Sequence, residues 1–316
     1  MEATTMTEQP KKKNQAKEYL KGWVPYRIKR YWFYAAATVI AIVMPWITIN
    51  GNHLFLLSFD QKKLHLAGVA FDMQELYLMP FLLMLLFLGI FAVTAVGGRA
   101  WCGWACPQTI FRVIYRDGIE TKLLGLRKKI KNKQKEPDMS KLENKVKLGI
   151  AILLWSVLAF VASANFLWYF VPPEDFFSYL ANPAEHMVLV GVLVSTALFI
   201  ILDVVFIKEN FCVYVCPYSR VQSVLYDDDT IMAVYDPIRG GDIYEGHGYE
   251  REKKFTKQKD LLSVEPNAEC TTCESCVTVC PTHIDIRKGL QLECINCLEC
   301  VDACTSVMGA LGKPSL

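Results

Sequence analysis

Cys270-Thr-Thr-Cys273-Glu-Ser-Cys276-Val-Thr-Val-Cys280-Pro281 lies near the end of the chain, and Cys294-Ile-Asn-Cys297-Leu-Glu-Cys300-Val-Asp-Ala-Cys304 follows it. Both segments have the spacing Cys-x2-Cys-x2-Cys-x3-Cys. All twelve cysteines of the chain belong to a Cys-x2-Cys or Cys-x3-Cys pattern, and none is left over. Such close spacing is typical of metal-binding or redox-active thiols in a reducing compartment, and less so of the disulfides of secreted proteins.

The repeated spacing is that of bacterial two-cluster ferredoxins, in which the fourth cysteine of each run binds the other cluster. It predicts two [4Fe–4S] clusters, one held by Cys270, Cys273, Cys276 and Cys304 and the other by Cys280, Cys294, Cys297 and Cys300. Zinc in paired Cys-x2-Cys knuckles is the alternative. That alternative requires neither a third cysteine in each run nor the Cys280-Pro281 pair. Because such clusters offer no open position to a substrate, we expect this domain to transfer electrons.

Four long apolar runs precede the cysteine-rich end. They predict transmembrane helices at 32–49, 76–96, 148–171 and 187–207, each close to the length that crosses a bilayer. Hydrophobic residues make up 53% of the chain, although 21% of its residues are charged. The positive mean hydropathy of +0.22 agrees with apolar residues that are concentrated in segments. A lipid bilayer is therefore the expected surrounding of this part.

The distribution of basic residues predicts the orientation of these helices. Lysine and arginine are abundant in the loop 99–147, and the loop 172–186 contains neither. The positive-inside rule then places the N-terminus, the loop 99–147 and everything after residue 207 in the cytoplasm. The basic run 127–135 is explained in the same way, as a topology signal that rests on anionic lipid. The formal net charge of only +2 gives no reason to expect a nucleic-acid partner.

The sequence thus predicts an α-helical membrane protein with four transmembrane helices plus a cytoplasmic, bacterial two-cluster ferredoxin-like domain of the α+β class. The expected order is a basic cytoplasmic N-terminus (1–31), a transmembrane domain (32–207), a cytoplasmic connector (208–260) and the ferredoxin domain (261–316). The long polar N-terminus is not expected to be a cleavable signal peptide. The alternating residues 64–71 predict a short hairpin at the membrane surface.

Two further cysteine pairs follow the second and fourth apolar runs, as Cys102-Gly-Trp-Ala-Cys106-Pro107 and Cys212-Val-Tyr-Val-Cys216-Pro217. If helical, each pair lies on one helix face with Cβ atoms about 5–6 Å apart, which is wide for a disulfide. The candidate catalytic and metal-binding residues are therefore Cys102, Cys106, Cys212 and Cys216. Four thiolates would select Cu(I), zinc or an iron–sulfur cluster. Buried structural cysteines are the alternative.

Four segments carry a resemblance to a known family: Trp101-Cys-Gly-Trp-Ala-Cys-Pro-Gln-Thr109, Phe211-Cys-Val-Tyr-Val-Cys-Pro-Tyr-Ser-Arg-Val-Gln-Ser223, Tyr235-Asp-Pro-Ile-Arg-Gly240 and Cys280-Pro-Thr-His-Ile-Asp-Ile-Arg-Lys-Gly-Leu-Gln-Leu-Glu-Cys294. Through them the chain resembles the CcoG/FixG/RdxA family of accessory proteins of cbb3-type cytochrome c oxidase. It resembles more loosely the NapH and NosR groups, which pass electrons from quinol in nitrogen respiration.

The resemblance implies a protein of the bacterial inner membrane that reduces Cu(II) to Cu(I) before copper enters the oxidase. Electrons would reach a copper site at Cys102, Cys106, Cys212 and Cys216, the membrane-edge cysteines, from the ferredoxin domain, whose own electron donor the sequence does not name. Oxidase assembly factors or copper chaperones are the implied partners, and a homodimer is left open. Two alternatives remain: a quinol-linked electron-transfer subunit of a respiratory chain, and an assembly scaffold without a redox role.

The chain departs from the family pattern in two places. The resemblance implies a further transmembrane helix and an immunoglobulin-like periplasmic domain beyond Leu316, and both a natural short form and a truncation are left open. It also implies a basic Gly-Glu-Pro-Arg-Gly stretch where this sequence has Gly241-Asp-Ile-Tyr-Glu-Gly-His. Both departures bear on contacts with partners more than on the redox core.

Overall fold

Helices form most of the structure. The computed structural model describes residues 20–49, 51–58, 62–72, 77–222, 224–227, 229–245 and 252–316. Most of the predicted N-terminal segment and residues 246–251 of the connector lie outside these ranges. The helices are α1 Tyr26–Val43, α2 Leu78–Gly97, α3 Ala100–Trp104, α4 Pro107–Val113, α5 Leu142–Leu167, α6 Pro173–Ala181, α7 Met187–Leu202, α8 Tyr218–Gln222, α9 Pro237–Gly240, α10 Gln258–Val264, α11 Ser275–Thr278 and α12 Glu299–Ala310.

The remaining elements are short. The strands are β1 Thr48–Ile49, β2 Asn52–His53, β3 Phe55–Ser58, β4 Lys63–Leu66, β5 Val69–Asp72, β6 Tyr244–Glu245 and β7 Glu252–Lys253. Turns of 3₁₀ helix occur at Met44–Trp46 and Ile286–Lys288. Wider π-helical turns occur at Ile114–Leu123, Asp203–Ile207 and Phe211–Val215. The turn Phe211–Val215 contains Cys212, and the other two lie after the first cysteine pair and before the second. Turns of this kind often mark functional sites.

Three of the four predicted spans are confirmed as helices long and apolar enough to cross a membrane. Among the described residues these are Met79–Gly97, Leu142–Leu167 and Met187–Ile207. Their large apolar side chains point outward, as Leu85 on α2 does with 68% of its surface exposed. Lipid solvates such side chains, so the outward apolar surface is the expected one for a membrane helix.

The first predicted span, 32–49, has different bounds in the structure. Its helix α1 begins six residues earlier, after Pro25, and ends at Val43. Pro45 then tightens the chain into a 3₁₀ turn, because proline has no N–H to continue an α-helix. The first turn of α1 also contains Arg27, Lys29 and Arg30. Helix α1 is consequently not among the three apolar helices, and a fourth span remains a proposal.

Helices α5 and α7 pack together through small side chains. Ala151 and Ala159 on α5 and Ala197 on α7 are each fully buried. Small residues let two membrane helices approach closely. The Ser163 hydroxyl also donates a hydrogen bond to the Leu193 carbonyl oxygen at 2.8 Å. This pair of helices is the centre of the apolar domain.

A three-stranded antiparallel sheet, β3–β4–β5, lies at the far end of α5 from Leu142. The predicted hairpin is confirmed as β4 and β5, joined through Ala67 and Gly68. Both turn residues have positive φ (52° and 82°), as the favoured two-residue hairpin turns require. The backbone N–H of Leu57 on β3 donates to the carbonyl oxygen of Tyr169, just after α5, at 2.8 Å. This bond fixes the sheet to that end of the helix.

The cysteine-rich region shares a core with the segment before it. Tyr235, Ile243, Leu261 and Cys270 belong to one buried cluster. The predicted boundary at residue 260 therefore does not separate two packing units. Residues 261–316 contain helices and loops but no strand. The short antiparallel ladder β6–β7 lies in the segment before them, and Tyr244 of β6 belongs to the same buried cluster as Cys270.

Candidate metal centres

The two cysteine quartets adopt the same local backbone. In the first loop, Thr272 and Glu274 have positive φ (51° and 55°), and Asn296 and Leu298 repeat this in the second (47° and 60°). These residues stand two and four positions after the first cysteine of each quartet. Alternating handedness turns successive N–H groups toward one side, a concave arrangement found at many iron–sulfur sites. In the first loop the N–H of Thr272 points to the Cys270 sulfur, with a nitrogen–sulfur distance of 3.4 Å.

Two neighbouring cavities are lined by the eight cysteines of the quartets, and Cys276 and Cys300 line both. The first is lined by Cys270, Cys273, Cys276, Cys300 and Cys304. The second is lined by Cys276, Cys280, Cys294, Cys297 and Cys300. Thus Cys304 from the second run lines the first cavity, and Cys280 from the first run lines the second. The predicted ligand sets, which exchange these two cysteines between runs, fit this arrangement.

The spread of the thiols within each cavity suits a cluster better than a single ion. Four thiolates around one zinc ion would have sulfurs about 4 Å apart, given a zinc–sulfur bond of about 2.3 Å. Nowhere in the described part of the chain do three Cys, His, Asp or Glu side chains come together closely enough to hold one metal ion. Thiols that surround a cavity can instead ligate the separate irons of a [4Fe–4S] cluster.

Replacing Cys280 by serine tests the exchange of ligands between the two runs. The exchange predicts that Cys280→Ser disturbs the cluster of the second run and leaves that of the first intact. Iron analysis should then show about four irons retained of about eight, with one EPR signal of the reduced protein preserved. Cys273→Ser is the matched variant and should disturb the other signal. Loss of the same signal in both variants would contradict the pairing.

The membrane-edge cysteine pairs do not lie on continuous helices. Helix α3 stops at Trp104, and Cys106 is extended (φ −63°, ψ 127°) before Pro107. Cys216 is likewise extended (φ −72°, ψ 112°) before Pro217. Proline disfavours the helical conformation of the residue before it. The condition of the prediction, that each cysteine pair is helical, is therefore not met in either motif, because Pro107 follows Cys106 and Pro217 follows Cys216.

The four membrane-edge thiols nevertheless share one neighbourhood. Cys106 and Cys216 both lie close enough to raise the pKa of Cys102 and that of Cys212. Burial raises the pKa of Cys102 to about 12, with Cys106 adding to the effect. Burial also raises the pKa of Cys212 to about 12. Metal binding would have to displace the protons of these thiols. The thiols are brought near each other, yet no three of them converge on one point.

Hydrogen bonds connect Cys102 to Gln222 of α8 and, through Gln222, to Thr94 of α2. Its thiol donates a hydrogen bond to the side-chain oxygen of Gln222 at 3.2 Å. The amide nitrogen of Gln222 contacts the Thr94 hydroxyl at 3.3 Å, and that hydroxyl shares a hydrogen bond with Tyr218 at 2.7 Å. Gln222 and Tyr218 belong to α8, which follows the second cysteine pair. These bonds therefore join the two membrane-edge motifs.

The first membrane-edge motif packs directly on the second ferredoxin loop. A Cβ atom at Gly103 would lie 2.4 Å from the carbonyl oxygen of Ile295 and 3.2 Å from the Cα of Cys297. Only glycine permits this approach. The hydroxyl of Tyr34 on α1 donates to the Gly103 carbonyl oxygen at 2.5 Å and covers the contact. The residue next to Cys102 is thus packed against the backbone of Ile295 and Cys297, although the two segments are far apart in the sequence.

Asn296 joins this loop to the membrane domain. Its side-chain nitrogen donates to the carbonyl oxygens of Gly97, at the end of α2, and of Ile231, at 2.9 and 3.1 Å. Its side-chain oxygen accepts a hydrogen bond from the N–H of Ala233 at 3.3 Å. A buried amide with three such bonds fixes the position of the loop.

A buried group of charges holds the same interface from the other side. Glu299 lies between Arg30 and Lys133, and all three side chains are at most 3% exposed. Arg30 donates to Glu299 at 2.9 Å and to the carbonyl oxygen of Cys297 at 2.7 Å. Lys133 donates to both carboxylate oxygens of Glu299. Burial disfavours the Glu299 carboxylate, but Lys133 and Arg30 outweigh burial and hold its pKa below the ordinary value.

The interpretation of 127–135 as a basic run on lipid is therefore wrong for Arg127 and Lys133. Lys133 pairs with Glu299, and Arg127 pairs with Glu120 at 2.9 Å. Both basic side chains are buried. The run contributes structure to the interface with the ferredoxin region as well as positive charge to the loop.

Helix α12 also caps α1. The two oxygens of the Asp302 carboxylate accept hydrogen bonds from the N–H groups of Tyr26 and Arg27, each at 2.8 Å. A carboxylate at a helix N-terminus satisfies free N–H groups and complements the helix dipole. Sequence analysis missed Arg30, Glu299 and Asp302, since their partners lie more than 160 positions away in the sequence. Gly103 carried a signal, because a glycine stood inside a cysteine motif.

Two family models match parts of the chain. Residues 207–316 match the family described as a 4Fe-4S dicluster domain, and residues 79–133 match a 4Fe-4S binding domain. Both matches include a membrane-edge cysteine pair. No solved structure matches the chain.

Three curated proteins are similar over most of the sequence. Protein RdxA of Cereibacter sphaeroides is 28% identical over 296 residues, which cover 92% of this chain and 59% of RdxA. The nitrogen fixation protein FixG of Rhizobium meliloti is 29% identical over 301 residues, and the matched region covers 91% of this chain and 54% of FixG. Protein RdxB of Cereibacter sphaeroides is 29% identical, with coverage of 92% and 59%. The chain thus spans between 54% and 59% of these relatives. The comparisons confirm the resemblance to the CcoG/FixG/RdxA family and support a membrane iron–sulfur electron-transfer protein with two [4Fe–4S] clusters.

Proposed function

We propose that this chain is a membrane-bound metalloreductase that converts Cu(II) to Cu(I) at Cys102, Cys106, Cys212 and Cys216. The contact of Gly103 with the backbone of Ile295–Cys297 carries the proposal. It brings the motif of two of these cysteines against the loop of a predicted cluster ligand. The residue after Cys102 therefore lies in contact with the ferredoxin region, which offers an electron a packed route to this motif.

The chain's own residues prepare this route. When bound, the two clusters supply transfer of single electrons, which is what Cu(II) needs to become Cu(I). Arg99, buried beside both sites, favours the thiolate forms of Cys102 and Cys294 against the burial that disfavours them. Its guanidinium also donates to the carbonyl oxygen of Ser219 in α8. The positive charge of Arg99 therefore lies beside Cys102, Cys294 and the α8 segment that follows the second membrane-edge pair.

The thiols explain the direction of the reaction. Thiolates are soft ligands that bind Cu(I) in preference to Cu(II), so a copper ion held by them is easier to reduce. Because the four thiols are near each other without forming a closed site, the copper ion would be held in passing as a substrate. Passage to a copper chaperone or an oxidase assembly factor for cbb3-type oxidase is the corresponding role in the cell.

The proposed topology has four spans, with α1 as the first. Helix α1 and the 3₁₀ turn after it cover residues 26–46, about 30 Å of helix. The buried ion pair of Arg30 with Glu299 removes one charge of α1 from lipid. The N-terminus, the loop 99–147 and the ferredoxin region would face the cytoplasm of a bacterium, with the chain in its inner membrane.

Reduction of Cu(II) by the protein itself tests the proposal. Purified full-length protein is reduced anaerobically with dithionite, desalted and mixed with Cu(II) and a Cu(I)-specific chelator. About two Cu(I) ions per chain should form, one for each cluster. A variant with serine at the four membrane-edge cysteines should form Cu(I) at least tenfold more slowly while it keeps its iron. Equal rates in the two proteins would disprove the copper site.

A second candidate function is oxidation of quinol for a partner reductase. The match of residues 79–133, which include Cys102 and Cys106, to a 4Fe-4S binding domain is the observation that favours this alternative. It predicts that a short-chain quinol bleaches the visible absorbance of the oxidised protein and that copper has no effect. A non-redox assembly scaffold predicts neither response.

A further inference from the structure

Two histidines face each other at the end of the molecule opposite to the cysteines. His53 lies on β2 and His65 on β4. The sheet that contains His65 is bound to Tyr169, after the last turn of α5. The second cysteine pair follows Val204 and Val205, which pack on Ala151 and Trp155 in the first half of that helix. At 1.5 Å per residue, Trp155 lies about 20 Å along the chain direction from Tyr169. The histidine pair is therefore a separate place from the proposed reductase site.

His65 is buried without hydrogen bonds. Only 7% of its surface is exposed, and neither ring nitrogen has a hydrogen-bond partner in the described part of the chain. A neutral imidazole has one donor and one acceptor, and a buried group left without a partner is unfavourable. Burial lowers the pKa of His65, and the neighbouring His53 and Lys63 lower it further. The ring is consequently neutral and keeps a lone pair available to a ligand.

His53 has the arrangement of a metal-binding histidine. Its Nδ1 lies 3.1 Å from the carbonyl oxygen of Pro45. Because a carbonyl oxygen only accepts hydrogen bonds, Nδ1 carries the proton, and Nε2 is left with a lone pair. A histidine that binds a metal through one nitrogen commonly donates the other N–H to a backbone carbonyl in this way.

The distance between the rings suits one two-coordinate ion. The ring centroids are 6.2 Å apart and the ring planes are inclined by 80°. Two imidazoles on opposite sides of one ion, each with a metal–nitrogen bond of about 2.0 Å, have centroids about 6.3 Å apart. Zinc almost always takes four ligands, and no third Cys, His, Asp or Glu side chain joins the pair within the described ranges. Cu(I), a closed-shell ion that accepts two nitrogen ligands, fits instead.

We propose that His53 and His65 bind one Cu(I) ion between β2 and β4. The proposal goes beyond the reduction of copper at the cysteines and does not depend on it. Binding satisfies one nitrogen of each ring and needs no change in oxidation state. The site would give this end of the protein a place to hold Cu(I) apart from the thiols.

The test measures Cu(I) bound to the full-length protein. All proteins carry serine at the four membrane-edge cysteines, so that those thiols hold no copper. Cu(I) is titrated anaerobically against bicinchoninate, and the bound equivalents are compared in this parent and in parents with His53→Leu or His65→Leu. The matched control is His186→Leu, because His186 stacks on Tyr179 with ring centroids 3.9 Å apart and is not part of the pair.

We expect each leucine variant of the pair to bind one Cu(I) fewer than its parent, and His186→Leu to bind the same number. Thermal unfolding without copper checks the fold: His65→Leu removes a buried ring with two unpartnered nitrogens and should not lower Tm. Cu(I) should raise Tm in the parent and not in the two variants. Equal numbers of bound Cu(I) in all four proteins would overturn the proposal.

Discussion

Replacement of Gly103 by alanine is expected to separate the membrane-edge motif from the second ferredoxin loop. The new Cβ would stand 2.4 Å from the carbonyl oxygen of Ile295, which is closer than real Cβ atoms approach another atom. The atoms it meets are backbone, so they yield only if the loop with Cys294 and Cys297 moves. Overpacking of this kind typically costs about 1–3 kcal/mol, and more where the backbone must shift. We expect a lower Tm and a disturbed EPR signal of the second cluster.

The control for Gly103→Ala is the same change in α5. Nothing lies within 4 Å of a Cβ at Gly149. Alanine is favoured over glycine inside a helix by about 1 kcal/mol, so Gly149→Ala should leave Tm unchanged or raise it. Copper reduction should fall in Gly103→Ala and stay normal in Gly149→Ala. If the two variants have equal Tm, EPR signals and copper reduction, the close packing of the motif on the loop is wrong.

Removal of the Glu299 carboxylate is expected to produce the second large effect. Glu299→Gln leaves Arg30 and Lys133 facing each other in a buried site, since all three side chains are at most 3% exposed. Breaking a buried ion pair by removal of one partner typically costs about 3–5 kcal/mol. We expect a large fall in Tm. Any folded fraction should have a higher reduction potential at the second cluster, because the neutral side chain no longer offsets the two cations.

Two further variants show whether the loss comes from charge. Glu143→Gln breaks the exposed pair of Glu143 with Lys147 on α5 and should change Tm little, because water already screens that pair. Lys133→Met in the Glu299→Gln background removes one unpaired cation and should recover part of the lost stability. Additive effects of the two changes would contradict a direct interaction between Lys133 and Glu299.

Local patterns in the sequence predicted the cysteine loops and most of the helices. The spacing of the quartets depends on a few consecutive residues, and the runs that became α2, α5 and α7 are apolar on every side. The hairpin at β4 and β5 followed from alternation and from Gly68. Each of these features is decided by neighbours in the sequence, so each could be predicted without the fold.

The errors have two kinds of physical cause: a neighbouring proline, and a partner that is distant in the sequence. Cys106 and Cys216 precede prolines, and that constraint overrode the helical spacing of both pairs. Lys133 was assigned to lipid because its partner, Glu299, lies 166 residues away. The charged first turns of α1 are stabilised by two residues of α12. Asp302 caps the N-terminus of α1, and Glu299 forms an ion pair with Arg30. Tertiary contacts of this kind cannot be inferred from the residues around one position.

In the proposed function, one chain joins two [4Fe–4S] clusters to a copper-handling thiol site. Anaerobic purification with iron, sulfide, zinc and copper analysis, together with EPR of the reduced protein, tests it most directly. We expect about eight irons per chain and the EPR signal of two interacting clusters, and both should be retained when the four membrane-edge cysteines become serine. Zinc in place of iron, or iron that is lost in the serine variant, would contradict the separation of the two clusters from the copper-handling thiols.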